Sequence, residues 1–391
     1  MVCDRFYTGV TDVMGVTVGR AMRRGMRASG GVCTLMASAL LLWACGRQTD
    51  ARIGVVLGDE GVRAARLALD DLNATGGRRI GLRALSGAFG SSAQVALQGA
   101  ESLAVDPTVL AVVGHTNSSA SLAASQVYNA QHVVQIAPTS TSPLYSQAGP
   151  YSFRLVASDA HQAHFIAQQI GVASARRVAI VYANDDYGRA LRRLVIEDLA
   201  TRGVHPVYQG PYAESETDGG DLVRALGATQ PTLLVWLGRD PFYSRIAPAL
   251  HAAMPALPVL ASDGFGGSSV NVALRESRHE FEGVRYVRLV DVDARSAAMR
   301  KLRERYRDQP GGGEMTDQAV LAYDAVMLLG TAVREAGPDR EAIRAWLNQL
   351  GRSRPQYVGV TGPIGFSPDG DRPPTYLLVA ADTGARRQDG P

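Results

Sequence analysis

Two short segments of this 391-residue chain concentrate hydroxyl groups where they can hold an anion. The first, Gly114-His115-Thr116-Asn117-Ser118-Ser119-Ala120-Ser121, directly follows an apolar run at 109–113. A helix starting here offers unpaired backbone N–H groups and a partial positive charge beside those hydroxyls, which suits a carboxylate. The plainer alternative is N-capping by Asn117 or Ser118. The second, Ala137-Pro138-Thr139-Ser140-Thr141-Ser142-Pro143, closes the next apolar run and by itself is an ordinary turn. Two hydroxyl-rich loops at one sheet edge favour a polar ligand more than either does singly.

Acidic and aromatic groups recur further along. In Ala183-Asn184-Asp185-Asp186-Tyr187-Gly188 the aspartates can cap the next helix, and Tyr187 can close over a ligand. Ser262-Asp263-Gly264-Phe265-Gly266-Gly267 presents Asp263, whose carboxylate suits a ligand ammonium. Its alternative is a glycine-rich turn with a solvated aspartate. His161 and His164 stand three apart near Asp159, but no further cluster completes a metal site, and they read as exposed histidines at a helix start. A Gly-x-Ser-x-Gly elbow, a His-Glu-x-x-His motif and a lysine-bearing phosphate loop are all missing. The sequence therefore predicts a binding protein without catalytic residues, metal or cofactor.

These segments need a frame. Apolar, β-rich runs at 52–57, 80–85, 109–113 and 132–136 alternate with helical spacing at 62–73, 92–104 and 118–130. A second series opens with a helix near 162–170. It continues with strands at 177–182, 207–210, 233–237 and 259–261 between helices at 189–201, 222–227 and 243–253. An extended run at 284–289 precedes helices at 296–306, 317–335 and 340–349. Residues 362–379 read as two strands joined by the Ser367-Pro368-Asp369-Gly370 turn. Such alternation predicts an α/β chain of two doubly wound parallel-sheet lobes. In open sheets of this kind ligands sit beyond the carboxyl ends of the strands, where the four loops lie.

Composition narrows the function. Forty basic residues face thirty-seven acidic ones, and Lys301 is the only lysine. The net charge of +3 comes from the first 44 residues, which carry five arginines against two aspartates. The remainder is near neutral, so no nucleic-acid surface is implied. All three cysteines, Cys3, Cys33 and Cys45, lie in the first 45 residues, which excludes a disulfide framework in the body. Arg23, Arg24 and Arg27 precede a short apolar run that ends Leu41-Leu42-Trp43-Ala44-Cys45. This is the layout of an export signal at 1–44, and the cysteine after Ala44 resembles a bacterial lipobox, with Trp43 a departure. Cys45 would carry the lipid and 45–51 would be a polar tether.

At the loops themselves the chain resembles the type I periplasmic binding proteins of the leucine/isoleucine/valine-binding branch, receptors of branched-chain amino-acid ABC transporters. The resemblance rests on "VVGHTNSSASLAASQVYNAQHVVQIAPTSTSP" (112–143), "YSFRLVASDAHQ" (151–162) and "RRVAIVYANDDYG" (176–188). "LAYDAVMLL" (321–329) and "GVTGPIGFSPDGD" (359–371) extend it, so that it runs from about 52 to about 379. It implies two lobes joined by a three-segment hinge, with crossings near Ser158, Tyr286 and Pro374. The first lobe would comprise 52–158 with 287–373, and the second 159–286 with 374–391. By the same resemblance Ser118, Thr139 and Thr141 hold a ligand carboxylate, Tyr187 and Asp263 meet its ammonium, and Asp159 stands near the first crossing.

The implied function is capture of an amino acid or similar small carboxylate by lobe closure. The expected protein is a monomeric, lipid-anchored receptor in the cell envelope that docks on a membrane ABC permease. Two departures stand out. The first loop, within 54–73, lacks the family's glycine-rich insertion and its aromatic contact, and Arg239 replaces an aromatic residue, which would favour a second negative group on the ligand. The shortened loop also fits an envelope scaffold lipoprotein of the same fold that acts through protein contacts.

Overall fold

The computed structural model describes residues 51–171, 177–266, 279–292 and 296–381. The export signal and Cys45 lie outside the described residues. Ala51, expected in the tether, is instead buried as the first residue of a strand.

The first half alternates as its periodicity requires: β1 (Ala51–Val56), α1 (Asp59–Ala74), β2 (Ile80–Leu85), α2 (Ala88–Ser91), α3 (Ala93–Ala104), β3 (Val109–Gly114), α4 (Ser118–Ala130), β4 (Val134–Ala137) and β5 (Ser152–Arg154). The strands form one parallel sheet in the order β2-β1-β3-β4-β5. The order reverses between β1 and β3, so the loops after these strands flank a crevice at the sheet's carboxyl edge. The edge strand β5 has only three residues and escaped the sequence pattern.

The second series runs α5 (Asp159–Gly171), β6 (Val178–Ala183), α6 (Asp186–Thr201), β7 (Tyr208–Tyr212), α7 (Gly220–Thr229), β8 (Leu233–Leu237), α8 (Asp240–Ala253), β9 (Val259–Ala261) and β10 (Val284–Arg288). Next come α9 (Ala297–Arg307), α10 (Asp317–Ala336), α11 (Arg340–Gln349), β11 (Tyr357–Gly359), β12 (Gly362–Ile364) and β13 (Leu377–Ala380). The second sheet has the order β13-β10-β9-β8-β6-β7. Its strands are parallel except β13, which runs antiparallel to β10 along one edge.

One expectation fails here. The two strands of 362–379 do not pair across the Ser367-Pro368-Asp369-Gly370 turn: β12 forms a hairpin with β11, and β13 joins the second sheet. The turn instead bonds to the rim of the first sheet, where Arg154 N–H donates to the Gly370 carbonyl at 3.0 Å. Gly370 has φ +79°, and a β-carbon there would lie 2.3 Å from the Ser152 carbonyl, so only glycine fits this approach.

Each sheet is covered on both faces. In the first lobe α1, α10 and α11 bury one face and α3 and α4 the other; in the second, α5 and α6 oppose α7 and α8. Helix α10 is apolar nearly all round because it is buried in the first-lobe core beside α1 and α11. Its buried Asp324 accepts N–H bonds from Val360 and Thr361 at 2.9 Å each and so pins the β11–β12 hairpin. The chain passes between the sheets three times, at 155–158, after Arg288, and at 372–376. Val287 and Arg288, expected in the first lobe, still belong to β10, and the second passage begins at Leu289. No helix among the described residues is long and apolar enough to cross a membrane.

Candidate functional site

Strand-end loops of the first lobe build a neutral wall. Asn117 caps α4, its Oδ1 accepting the Ala120 N–H at 2.9 Å, which places Ser118 as the first helical residue. Ser118 Oγ accepts the Ser142 N–H at 3.3 Å, and Thr139 Oγ1 donates to the Thr116 carbonyl at 2.9 Å. These two bonds stitch the hydroxyl loops together. The Thr141 carbonyl accepts the Asp159 N–H at 2.8 Å and ties the same loop to the first passage between lobes.

Beneath this wall sits Arg154, which no motif along the chain singles out. Its side chain is fully buried. Nε and Nη2 grip Asp371 with two bonds of 2.6 Å, and Nη1 donates to the carbonyls of Ser142 at 2.8 Å and Ser140 at 3.3 Å. The guanidinium thus holds both flanks of Thr141 and anchors them to the segment entering the third passage. Only an arginine in a strand too short to recognise could have signalled it.

The second lobe contributes a charged wall. Gly188 lets α6 start close against β6, since a β-carbon there would lie 2.1 Å from the Ala183 carbonyl. That approach seats Tyr187, whose Oη lies 2.6 Å from Asp263 Oδ1 and 2.8 Å from Ser262 Oγ. Gln162 Nε2 donates to Asp263 Oδ1 at 2.6 Å and to Asp159 Oδ1 at 3.1 Å, while its Oε1 accepts the Asp263 N–H at 3.0 Å. Asp159 is completely buried, and its Oδ2 has no hydrogen-bond partner. Burial, and then repulsion from Asp263, push the Asp159 carboxyl well above its ordinary range. Burial also raises Asp263, against the pull of Tyr187, Gln162 and Arg239.

Arg239 does not behave as its position suggests. Nη1 lies 2.6 Å from Asp185 Oδ2 and 2.5 Å from Glu214 Oε1, and the guanidinium stacks 5.3 Å from the Tyr187 ring centre. Two acids already match its charge, so the expected call for a second negative group on the ligand does not follow. Asp185 also caps α6 through the Gly188 N–H at 2.8 Å, in keeping with the plainer reading of that loop.

Ser118, Thr139, Thr141, Tyr187 and Asp263 line one cavity of about 160 Å³ between the lobes. Asp159 stands one layer behind, joined to Asp263 through Gln162. At the mouth, Ser119 Oγ donates to Asp186 Oδ2 at 2.9 Å and links the two helix starts across the cleft. The hinge end of the cavity holds residues the sequence reading missed. Asp317, first in α10, accepts the Leu289 N–H at 2.8 Å and lies 3.5 Å from Arg288. Burial raises its carboxyl to about 6 despite Arg288, and Asp263 adds to the rise. Glu60, in the first turn of α1, lines the same cavity. The signal available for both was an acid in the first turn of a helix at a sheet's carboxyl edge. His164 pairs with Asp198 at 2.7 Å and His161 is exposed; no metal-holding cluster occurs among the described residues.

The family model described as periplasmic binding protein matches residues 54–384, which take in both walls and all three passages. The chain belongs to the periplasmic binding protein family. That membership makes it an extracytoplasmic substrate-binding protein and not an enzyme. This periplasmic binding protein is 26% identical over 328 residues to an amino acid binding protein of Pseudomonas aeruginosa, covering 81% of this chain and 84% of the relative. It is 24% identical to the Leu/Ile/Val/Thr-binding protein of Salmonella typhimurium, over 68% of this chain and 73% of that one. Among solved structures it resembles the branched-chain amino acid transporter substrate binding protein LivJ of Streptococcus pneumoniae in complex with isoleucine. There the TM-score is 0.75 at 20% identity, covering 85% of this chain and 97% of LivJ. A solute binding protein of R. palustris in complex with benzoate shares the fold with a TM-score of 0.74 at 13% identity, over 84% and 92%. Both are similar in fold, and they hold different carboxylates.

Proposed function

We propose that the protein captures a free amino acid between its lobes and delivers it to a membrane ABC permease. The observation that carries this reading is one cavity with hydroxyls and a helix start on one side and a buried, mutually repelling carboxylate pair on the other. The ligand carboxylate lies against Ser118, Thr141 and the N–H donors in the first turn of α4, while Thr139, whose hydroxyl is given to the Thr116 carbonyl, holds the loop in place. Its ammonium sits against Asp263 and Tyr187, with Asp159 adding negative potential from behind. Each charge-assisted hydrogen bond contributes about 1.5–3 kcal/mol, so a few suffice to hold the lobes shut. Ligand binds the open first lobe, closure brings up the second, and the permease reads the closed pair. The relatives named for amino acids and for leucine, isoleucine and valine support this reading.

The anchor belongs to the same proposal: cleavage after Ala44 leaves Cys45 as the acylated first residue, which keeps the receptor beside its permease. A Cys45→Ser protein should lose incorporation of labelled palmitate and leave the membrane fraction. The binding test is native mass spectrometry of the purified protein, followed by calorimetric titration with single amino acids. Asp263→Ala should weaken binding about 100-fold, the value of one lost ammonium–carboxylate contact, with the thermal melt retained. Unchanged affinity rejects the assignment of Asp263. Absence of any co-purified or titrating small molecule favours the scaffold alternative.

A further inference from the structure

Among the described residues, Gln162 is the side chain whose hydrogen bonds join the two acids of the second-lobe wall. It stands three residues after Asp159 at the start of α5, so both lie on one helix face. It is completely buried, and it is not part of the cavity lining. A primary amide carries N–H donors at one atom and an acceptor at the other, and here both ends are engaged. Nε2 reaches Asp159 Oδ1 at 3.1 Å and Asp263 Oδ1 at 2.6 Å, and Oε1 accepts the Asp263 N–H at 3.0 Å. The reverse orientation would set a carbonyl oxygen against two carboxylates and an N–H against an N–H.

These bonds load Asp263 on one side. The Tyr187 hydroxyl reaches Oδ1 at 2.6 Å, and Gln162 meets that same oxygen. Among the described residues no donor reaches Oδ2, yet Asp263 lines the cavity. The main chain is held as well: the Ser262 N–H donates to the Trp236 carbonyl at 2.9 Å, the Asp263 N–H to Gln162, and the Phe265 N–H to the Ser262 carbonyl at 3.1 Å. Tyr187 alone would leave the carboxylate one pivot, and Arg239 is committed to Asp185 and Glu214. A carboxylate gripped beforehand gives up less freedom when a ligand docks.

We infer that Gln162 is a positioning residue for ammonium recognition: its amide pins Asp263 Oδ1 and the Asp263 backbone so that Oδ2 meets the ligand nitrogen. This rests on the amino-acid reading of the cavity, and it adds a residue that acts through Asp263 without touching the ligand. The same amide ties Asp263 to the opposite wall, because the Thr141 carbonyl accepts the Asp159 N–H at 2.8 Å where α5 begins. Groups that meet the two ends of the ligand are thus joined through Asp159 and Gln162.

The test is calorimetric titration of the exported chain with each of the protein amino acids, and then of its variants with the tightest binder. Gln162→Met should weaken that amino acid about tenfold, the size of one lost hydrogen bond to a charged group. In the Asp263→Ala background the same substitution should change affinity less than about twofold, since no carboxylate is left to position. Damage to the fold would cost as much in either background, so an equal loss in both overturns the inference, as does unchanged affinity of Gln162→Met itself. Gln162→Glu keeps the shape of the side chain and replaces its donor with a third acid. It takes the place of Gln162→Met if that variant fails to fold, with the same tenfold loss expected only where Asp263 is present. If no amino acid binds the unaltered chain, the amino-acid reading fails and the inference with it; a binder indifferent to the Gln162 substitutions removes the inference alone.

Discussion

The two walls of the cleft are built on opposite principles. On the first lobe, every hydroxyl with a predicted role is neutral, and Ser118 and Thr139 are already hydrogen-bonded to the neighbouring loop. On the second, Asp159 and Asp263 are buried close together, and one carboxylate oxygen has no partner at all. One wall is hydrogen-bonded within itself; the other keeps a buried carboxylate oxygen unpaired, which the ammonium of the proposed ligand would offset. Stability is therefore expected to reside in the first wall and responsiveness in the second, where local free energy is sacrificed to the binding event.

The sharpest break in this comparison targets the support of the neutral wall. Arg154→Met leaves the carbonyls of Ser140 and Ser142 without this donor and Asp371 with only the Ser146 hydroxyl, and should cost about 3–5 kcal/mol of unfolding free energy. Denaturant titration measures it; a loss under about 1 kcal/mol would show that the wall stands without its clamp.

A pH series reads Asp317, an acid that the first lobe itself places on the cavity. The Asp317 carboxyl titrates at about 6 in the folded protein against 3.8 for the free group. A raised folded value means that protonation favours the folded state. The resulting stability is present below the lower value and disappears as pH climbs through the upper one. Between about pH 4 and about pH 7 the ligand-free protein should lose up to about 2 kcal/mol relative to Asp317→Asn. Arg288, Asp263 and the Leu289 N–H all face this group, so the difference between the two proteins isolates it better than either curve alone. A flat or inverted difference contradicts the assignment. Ligand binding should show the converse, a cation gaining affinity over the same range with release of protons.

Smaller effects separate the walls further. Asp159→Asn removes the repulsion behind Asp263 and should stabilise the empty protein by about 1–2 kcal/mol while weakening amino-acid binding several-fold. Opposite signs in melt and affinity are the signature, and a loss in both would show that the pair is structural. Thr139→Val deletes one donor of the neutral wall and should lower stability and affinity together by about 1 kcal/mol each. Affinity falling alone would mean that the first wall, too, waits for its ligand.

The alternation of strands and helices, and the five hydroxyl, tyrosine and aspartate side chains that line the cavity, were legible along the chain. Each lies directly after a strand, and a loop that leaves the carboxyl edge of a parallel sheet has few places to go. Strand β5 was not legible, because three residues carry no periodicity. Nor was the fate of 362–379, where two correctly placed strands entered different sheets, since pairing depends on neighbours distant in sequence. Arg239 favours a second negative group on the ligand when read by position alone; Asp185 and Glu214, 54 and 25 residues away, neutralise it.

Local composition thus settled which segments are extended, which are helical and which loops converge on one cavity, because hydrophobic period and loop chemistry act over a few residues. Charge balance in the cavity was decided only by folding. Glu60, Asp159, Asp263 and Asp317 come from four separate stretches of chain, and Coulomb forces depend on distance in space. Their juxtaposition exists only once both sheets and all three passages are in place.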